Sequence, residues 1–132
     1  MSKRTLMVQG GEIVLSGYVM SDADATWYDD MGGYFTPRMV RDALAGLTGL
    51  VTVRISSDGG DPFAGEAIRS MLAQYAGGVD MVVEGLAASA ASLIFMAGKK
   101  RSMSAGSMLM IHDPSMLSMG TEADMLKTAD TL

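Results

Sequence analysis

Apolar residues recur along the chain with two different periods. Apolar and polar residues alternate from Val51 to Ser56, which is the period-two pattern of a strand. Behind Thr36-Pro37, a pair that suits an N-cap and first turn, apolar residues recur at helical spacing as far as Leu47. The same criteria predict further strands at Glu12–Val19, 81–83 and 108–111, and further helices at 67–75, 89–97 and from Thr121 onward.

Strands and helices therefore alternate along the chain, which predicts right-handed βαβ crossovers and an α/β fold with a mostly parallel sheet. The stretch 21–35, rich in Asp, Gly and aromatic residues, is predicted to be a long loop. In parallel sheets, active sites form at the carboxyl ends of the strands. Three chemical features fall at such ends: Gly59-Gly60, Ser89 and His112. Their convergence indicates an enzyme.

The amino-acid composition limits the class of protein to which this chain can belong. Of 132 residues, 48% are hydrophobic and 19% charged, as expected for one globular domain, and the net charge of −5 disfavours nucleic-acid binding. There is no cysteine and one histidine, so we expect no metal of the usual kind and no cofactor, although an all-carboxylate site stays open.

Nothing resembles a signal peptide, and the longest apolar run, 86–97, is too short for a membrane span, so we expect a cytoplasmic protein. The 14 methionines are expected in core and subunit packing.

Ser89 lies among very small residues, where a strand is predicted to turn into a helix. Small neighbours allow a tight turn and a close substrate, and the N–H groups of a helix N-terminus suit a developing oxyanion. The alternative is an ordinary N-cap serine. Ser92 competes for the role of nucleophile, but inside the helix its hydroxyl is expected to bond a backbone carbonyl.

His112 is the only imidazole and hence the natural general base. Asp113 beside it is expected to form a turn before Pro114 rather than to complete a triad. The Gly59-Gly60 pair is either a simple turn or a source of backbone N–H groups for an anionic intermediate. Each of these features alone also has a purely structural interpretation.

Together, three segments resemble the ClpP family of serine peptidases. Residues 55–60 (Ile-Ser-Ser-Asp-Gly-Gly) resemble its Ile-Asn-Ser-Pro-Gly-Gly motif. Residues 85–91 (Gly-Leu-Ala-Ala-Ser-Ala-Ala) resemble the nucleophile motif Gly-Gln-Ala-Ala-Ser-Met-Gly, and residues 110–114 (Met-Ile-His-Asp-Pro) resemble Met-Ile-His-Gln-Pro. The stretch before Thr36 and the Gly-Gly-Asp-x-Phe pattern at 59–63 are most similar to the phage-encoded branch, which includes head maturation proteases.

The resemblance implies a ClpP/crotonase-like fold and a serine endopeptidase acting by acyl transfer on capsid or scaffold protein. Ser89 would be the nucleophile, His112 the base, and the N–H groups of Gly60 and Ala90 the oxyanion hole. The segment of Gly59, Asp61, Pro62 and Phe63 would bind substrate by strand addition. The resemblance also implies a homo-oligomeric ring, a heptamer or double heptamer. A regulatory ATPase is not identified by the sequence.

The chain departs from the family pattern at several positions. Asp58 replaces proline and would oppose an oxyanion if it pointed inward, Pro62 has no N–H, and Ala91 replaces glycine. The third triad residue of the family lies beyond a long handle helix that resembles residues 121–132. We therefore expect residues 1–132 to be a single ClpP-like domain truncated in that helix, with the acid beyond Leu132.

Three alternatives stay open. A crotonase-like acyl-CoA enzyme would share the scaffold but not the Ser89 and His112 matches. A serine–lysine peptidase would need Lys99 or Lys100, which follow the serine helix too distantly. An inactive ClpP-like structural or assembly subunit would account for Asp58, Pro62 and the missing acid.

Overall fold

The structure, a computed structural model, describes residues 6–28, 32–112 and 120–131. Its strands are β1 (Leu6–Gln9), β2 (Glu12–Val19), β3 (Tyr34–Phe35), β4 (Val51–Gly60), β5 (Val79–Ala88), β6 (Lys100–Met103) and β7 (Met108–Met110). Its helices are α1 (Asp22–Ala25), α2 (Pro37–Ala45), α3 (Pro62–Gln74), α4 (Ala90–Phe95) and α5 (Glu122–Thr131). This is the α/β fold with a mostly parallel sheet that the sequence predicts.

The sheet has the order β1-β2-β4-β5-β6, with β3 paired to β2 and β7 paired to β5. Only the β1–β2 pair is antiparallel within the described residues. Strand β5 changes partner along its length: Asp80–Val83 pairs with β6, whereas Leu86–Ala88 pairs with β7. Gly85 lies at the change with φ +83°, a conformation that favours glycine. The second half of β5 is thereby directed toward β7.

Two helices, α2 and α5, begin as the sequence predicts. The Thr36 hydroxyl accepts the Met39 N–H at 3.3 Å with Pro37 in the first turn. Thr121 and Asp124 form a reciprocal capping box, because each side chain accepts the other residue's N–H, at 3.0 and 3.2 Å. The sequence predicts the next helix at 67–75, but α3 begins at Pro62, because Asp61 caps its N-terminus.

The core lies between the sheet and helices α2, α3 and α4. Its fully buried members alternate along the strands and recur at helical spacing on the helices. They include Ile13, Leu15, Phe35, Val40, Val53, Ile55, Ile68, Leu72, Met81, Val83 and Ile94. Burying each such large side chain contributes roughly 1.5–3 kcal/mol. This core holds β4 and β5 side by side and so positions their carboxyl ends.

The prediction of a long loop at 21–35 is wrong at both ends of this stretch. Ser21 caps the short helix α1 by accepting the Asp24 N–H at 3.1 Å. Tyr34 and Phe35 pair with β2 at Tyr18 and Val19 and are buried, so tertiary pairing turns this two-residue stretch into β3. The sequence also did not predict β1 and β6, both of which are short.

The methionines of the described residues lie both in the core and at the surface. Met81 is fully buried, whereas Met96, Met103, Met108 and Met110 are each more than two-fifths exposed. The exposed side chains of β6 and β7 lie at one edge of the sheet. Core packing therefore accounts for only part of the methionine content among the described residues.

An ion network crosses three neighbouring strands. Arg54 on β4 donates to Glu12 on β2 at 2.9 Å and to Glu84 on β5 at 2.7 Å. The hydrogen bond from Arg54 lowers the pKa of Glu12 below its ordinary value. A carboxylate with a lowered pKa stabilises the fold above its unfolded-state pKa, and this contribution is lost as pH falls through the folded-state pKa.

We therefore expect Glu12→Gln to lower the melting temperature at pH 7 and to have progressively less effect as the pH falls below about 4, the ordinary range of glutamate. The measurement is thermal unfolding of both proteins from pH 7 to pH 3. Asp42→Asn, which removes the same charge from an exposed position on α2, is the matched control. A melting-temperature difference for Glu12→Gln that stays constant with pH would contradict the linkage.

Candidate active site

Ser89 is placed at the sharp junction between β5 and α4. Its backbone angles are φ +57° and ψ −124°, and it is the only non-glycine residue with positive φ among those described. Such a conformation costs about 1–3 kcal/mol for a residue with a side chain, and strain of this kind clusters at functional sites. A strained strand–turn–helix is also how nucleophile elbows expose a serine hydroxyl.

The N-cap interpretation does not explain this serine. Ser89 occupies the N-cap position of α4, but its side chain makes no capping hydrogen bond. By contrast, Ser21, Thr36 and Asp61 all cap their helices with side-chain oxygens. The Ser92 hydroxyl donates to the Ser89 carbonyl at 2.6 Å, as expected for a serine inside a helix. Ser92 is thus occupied by the backbone, and Ser89 is the better candidate nucleophile.

Gly59 approaches Ser89 so closely that no side chain fits between them. A Cβ at Gly59 would lie 2.7 Å from the Ser89 Cβ, 2.7 Å from the Ala88 carbonyl oxygen and 3.2 Å from the Ala90 nitrogen. Gly59 also has φ +99°. The carboxyl end of β4 and the start of α4 therefore meet at this glycine, and the sheet brings together two segments that are 30 positions apart in sequence.

Gly60 follows on the side of β2. Its neighbour Asp61 donates its N–H to the Val19 carbonyl at 2.9 Å, and a Cβ on Gly60 would overlap that same carbonyl. Gly60 is the parallel pairing partner of Val19, and in this pairing the N–H that faces β2 is that of the next residue, Asp61. We therefore expect the Gly60 N–H to point away from β2, toward β5 and Ser89. This direction suits a donor to an anion beside Ser89.

His112 reaches the same end of the sheet through β7. Ala88 pairs with Met110, and the Ser89 N–H donates to the Met110 carbonyl at 3.0 Å. His112, two residues further on, is exposed. The last residues of two adjacent parallel strands thus lead to Ser89 and His112. Asp113 and Pro114, predicted to form a turn, lie outside the described residues.

Comparison with known proteins identifies the family to which the chain belongs. The family model of the Clp protease matches residues 47–132, which include β4, β5, α4 and β7. The chain belongs to the Clp protease family. Members of this family are serine peptidases that act on proteins and typically form rings. Among curated proteins, no relative matches the chain.

One departure from the Clp protease pattern, Asp58, is directed away from the serine. Burial alternates along β4, with Ser57 and Gly59 buried and Ser56, Asp58 and Gly60 exposed. Since successive strand residues face opposite sides, the Asp58 carboxylate lies on the face opposite that of Gly59. The sequence left open whether this charge would oppose an oxyanion, and its exposure to solvent screens it.

The segment after Gly60 differs from the expectation of a free substrate-binding strand. The Asp61 carboxylate accepts the N–H groups of Phe63 and Ala64 at 2.8 and 3.1 Å, the Asp61 N–H is bonded to Val19, and Pro62 has none. Helix α3 begins at Pro62, so Asp61, Pro62 and Phe63 offer a substrate strand no free N–H group. Phe63, 68% exposed, offers apolar surface instead.

The serine–lysine alternative is not supported by the fold. The Lys99 N–H donates to Val79 at the start of β5, and Lys100 pairs with Asp80. Ser89 follows the opposite end of this ten-residue strand. Both lysines therefore lie more than roughly 20 Å of strand length from the serine.

Two further properties concern cofactors and membranes. Within the described ranges, no three His, Asp or Glu side chains converge as a metal site would require. No helix in the part of the chain that the structure describes is long and apolar enough to cross a membrane.

Sequence reasoning did not single out Ser57 or Val19. The Ser57 hydroxyl oxygen accepts the Gly59 N–H, and the Val19 carbonyl accepts the Asp61 N–H. A serine two residues before a glycine is a signal for a local side-chain-to-backbone bond, and this signal could have identified Ser57. Val19 carries no such signal, because its role depends on strand pairing.

Proposed function

We propose that this protein is a ClpP-type serine endopeptidase in which Ser89 is the nucleophile and His112 the general base. The observation that carries the proposal is the conformation of Ser89: strained, uncapped, at the end of a parallel strand and pressed against Gly59. Backbone strain at a serine that does not cap its helix destabilises the fold, and a catalytic role of the serine would explain why the strain is present. The adjacent Met110 bond leads directly to the only histidine of the chain.

The chemistry would be acyl transfer. The Ser89 oxygen attacks the scissile carbonyl carbon while His112 takes the hydroxyl proton, and the N–H groups of Gly60 and Ala90 stabilise the resulting oxyanion. The C–N bond then breaks, and His112 gives its proton to the leaving amine. Water, deprotonated by His112, attacks the acyl-enzyme and releases the carboxylic acid product with Ser89 restored.

Substrate contacts would come from Gly59, Gly60 and the exposed ring of Phe63. Because the N–H groups of residues 61, 63 and 64 are engaged within the chain and Pro62 has none, a substrate strand would rely on the glycine pair and on apolar contact more than on a continuous ladder of bonds. The resemblance to phage-encoded members supports the proposal of capsid or scaffold protein as the substrate. It also supports a ring of identical subunits as the assembly, in the cytoplasm of a bacterial host. No ATPase is part of the proposal.

The test is labelling with a fluorophosphonate, which reacts preferentially with activated serines. We expect a single adduct on the peptide containing Ser89, retained in Ser92→Ala. His112→Ala should slow labelling by about 10²–10⁴-fold, the usual contribution of a general base, without loss of fold because the side chain is exposed. Heat-denatured protein is the control for non-specific reaction.

Absence of labelling in the folded protein would reject the peptidase and favour an inactive assembly subunit. The engaged N–H groups of residues 61, 63 and 64, together with Pro62, are the observations behind that second candidate. Labelling of a serine other than Ser89 would reject the site.

A further inference from the structure

Ser57 is one of the few buried polar residues in the described part of the chain, at 4% exposure. It lies on β4, and its hydroxyl oxygen accepts the Gly59 N–H at 3.0 Å. A buried hydroxyl costs stability unless it is hydrogen-bonded, and a main-chain bond two residues ahead competes with regular strand pairing. Ser57 therefore stabilises a local backbone shape rather than the sheet ladder.

This bond lies at the contact between the glycine turn and Ser89. Ser57 pairs with Ala87 of β5, two residues before Ser89, and the register of β4 against β5 shifts between Ile55 and Ser57. The amide that Ser57 holds belongs to Gly59, the residue pressed against the Ser89 Cβ. The bond thus holds the Asp58–Gly59 peptide group, which directly precedes the Gly59–Gly60 peptide group that carries the Gly60 N–H.

We propose that Ser57 is a positioning residue: by holding the Gly59 N–H, it directs the next amide, that of Gly60, toward the oxyanion formed at Ser89. The inference rests on the proposed function. Ser57 itself does not touch the reacting atoms, because Gly59 lies between them. Its effect is therefore larger on the stabilisation of the transition state, through the Gly60 amide, than on substrate binding by the glycine pair.

The expected result for Ser57→Ala is a reduction of about 10- to 100-fold in the rate constant of fluorophosphonate labelling and in kcat for peptide cleavage, with a much smaller change in KM. This is less than the roughly 10²–10³-fold loss when an oxyanion donor is removed outright, because the Gly60 amide is misdirected and not deleted. The Gly59 amide resonance should also shift and exchange faster with solvent, since it loses its acceptor.

Two variants separate positioning from packing. Ser57→Thr keeps the hydroxyl and should restore most of the rate. Ser56→Ala, one residue earlier and exposed on the other face of β4, should leave the rate unchanged. If Ser57→Ala does not fold, Ser57→Cys replaces it, since a thiol is similar in size but a weak acceptor.

The outcomes are distinct. The proposal is supported if Ser57→Ala is labelled slowly and its Gly59 amide resonance is shifted, while Ser57→Thr regains most of the labelling rate. Ser57→Ala labelled as fast as the wild type, or Ala and Thr variants slowed equally, overturns it while leaving the peptidase intact. A wild-type protein that is not labelled at all rejects the proposed function, and this inference with it.

Discussion

Ser89→Ala and Ser89→Gly are expected to be equally inactive but to differ in stability, with the glycine variant the more stable. Removing a catalytic serine costs on the order of 10⁴-fold or more in kcat, so neither variant should form an acyl-enzyme. The difference between the two variants comes from the backbone and not from the lost hydroxyl.

The reason is the conformation of residue 89. At φ +57° and ψ −124° a side chain is strained by about 1–3 kcal/mol, whereas glycine is not. Glycine loses roughly 0.5–1 kcal/mol through the greater freedom of the unfolded chain. The balance favours glycine by about 1 kcal/mol, or a few degrees in melting temperature for a domain of this size.

Thermal or urea unfolding of the two variants measures this difference. Ala67→Gly, at an exposed position on α3, is the matched control, and there glycine should be the less stable residue by about 1 kcal/mol. If glycine were also the less stable residue at position 89, the strain at this site, and with it the main support for the nucleophile, would be refuted.

Gly59→Ala is expected to reduce activity by at least about 100-fold, the effect of moving reacting groups by roughly 1 Å. The new methyl group would lie 2.7 Å from the Ser89 Cβ and from the Ala88 carbonyl oxygen. The Ala88 oxygen is a backbone atom, and the Ser89 Cβ is bonded directly to the backbone, so neither can move without moving the turn. The serine and the glycine turn must therefore separate.

Gly106→Ala is the matched control for this prediction. Gly106 has φ +80°, so alanine there is strained by roughly 1–2 kcal/mol, as at Gly59, but a Cβ would meet no atom within 4 Å. We expect Gly106→Ala to lose stability and keep its fluorophosphonate labelling rate. Similar labelling of Gly59→Ala and Gly106→Ala would mean that the contact between Gly59 and Ser89 is not needed for activity.

Several elements could be predicted from the sequence because their signals are local. The alternation of apolar and polar residues at 51–56 predicts β4, and Thr36-Pro37 predicts the start of α2. The capping box at Thr121 predicts the start of α5. Elements with weak local signals were missed. Two residues at 34–35 form a strand only because β2 lies beside them, and the four-residue β1 depends on the same partner.

Ser89 and His112 could be selected from the sequence because small residues around a serine and a lone histidine at a strand end are unusual and chemically meaningful. Their order along a βαβ chain also indicated that they end on one edge of the sheet. The sequence alone left two possibilities for the serine, a nucleophile or an N-cap. It likewise left open which way Asp58 points.

Tertiary structure decided these points, because each depends on contacts between segments far apart in sequence. The positive φ of Ser89 and its missing capping bond belong to a junction shaped by Gly59 on one side and Met110 on the other. The use of Asp61 as a helix cap, and not as part of a substrate strand, follows from the pairing of β4 with β2. The sequence by itself therefore determined which residues carry the candidate chemistry, and only the packing of β2, β4, β5 and β7 decided how their backbones are presented.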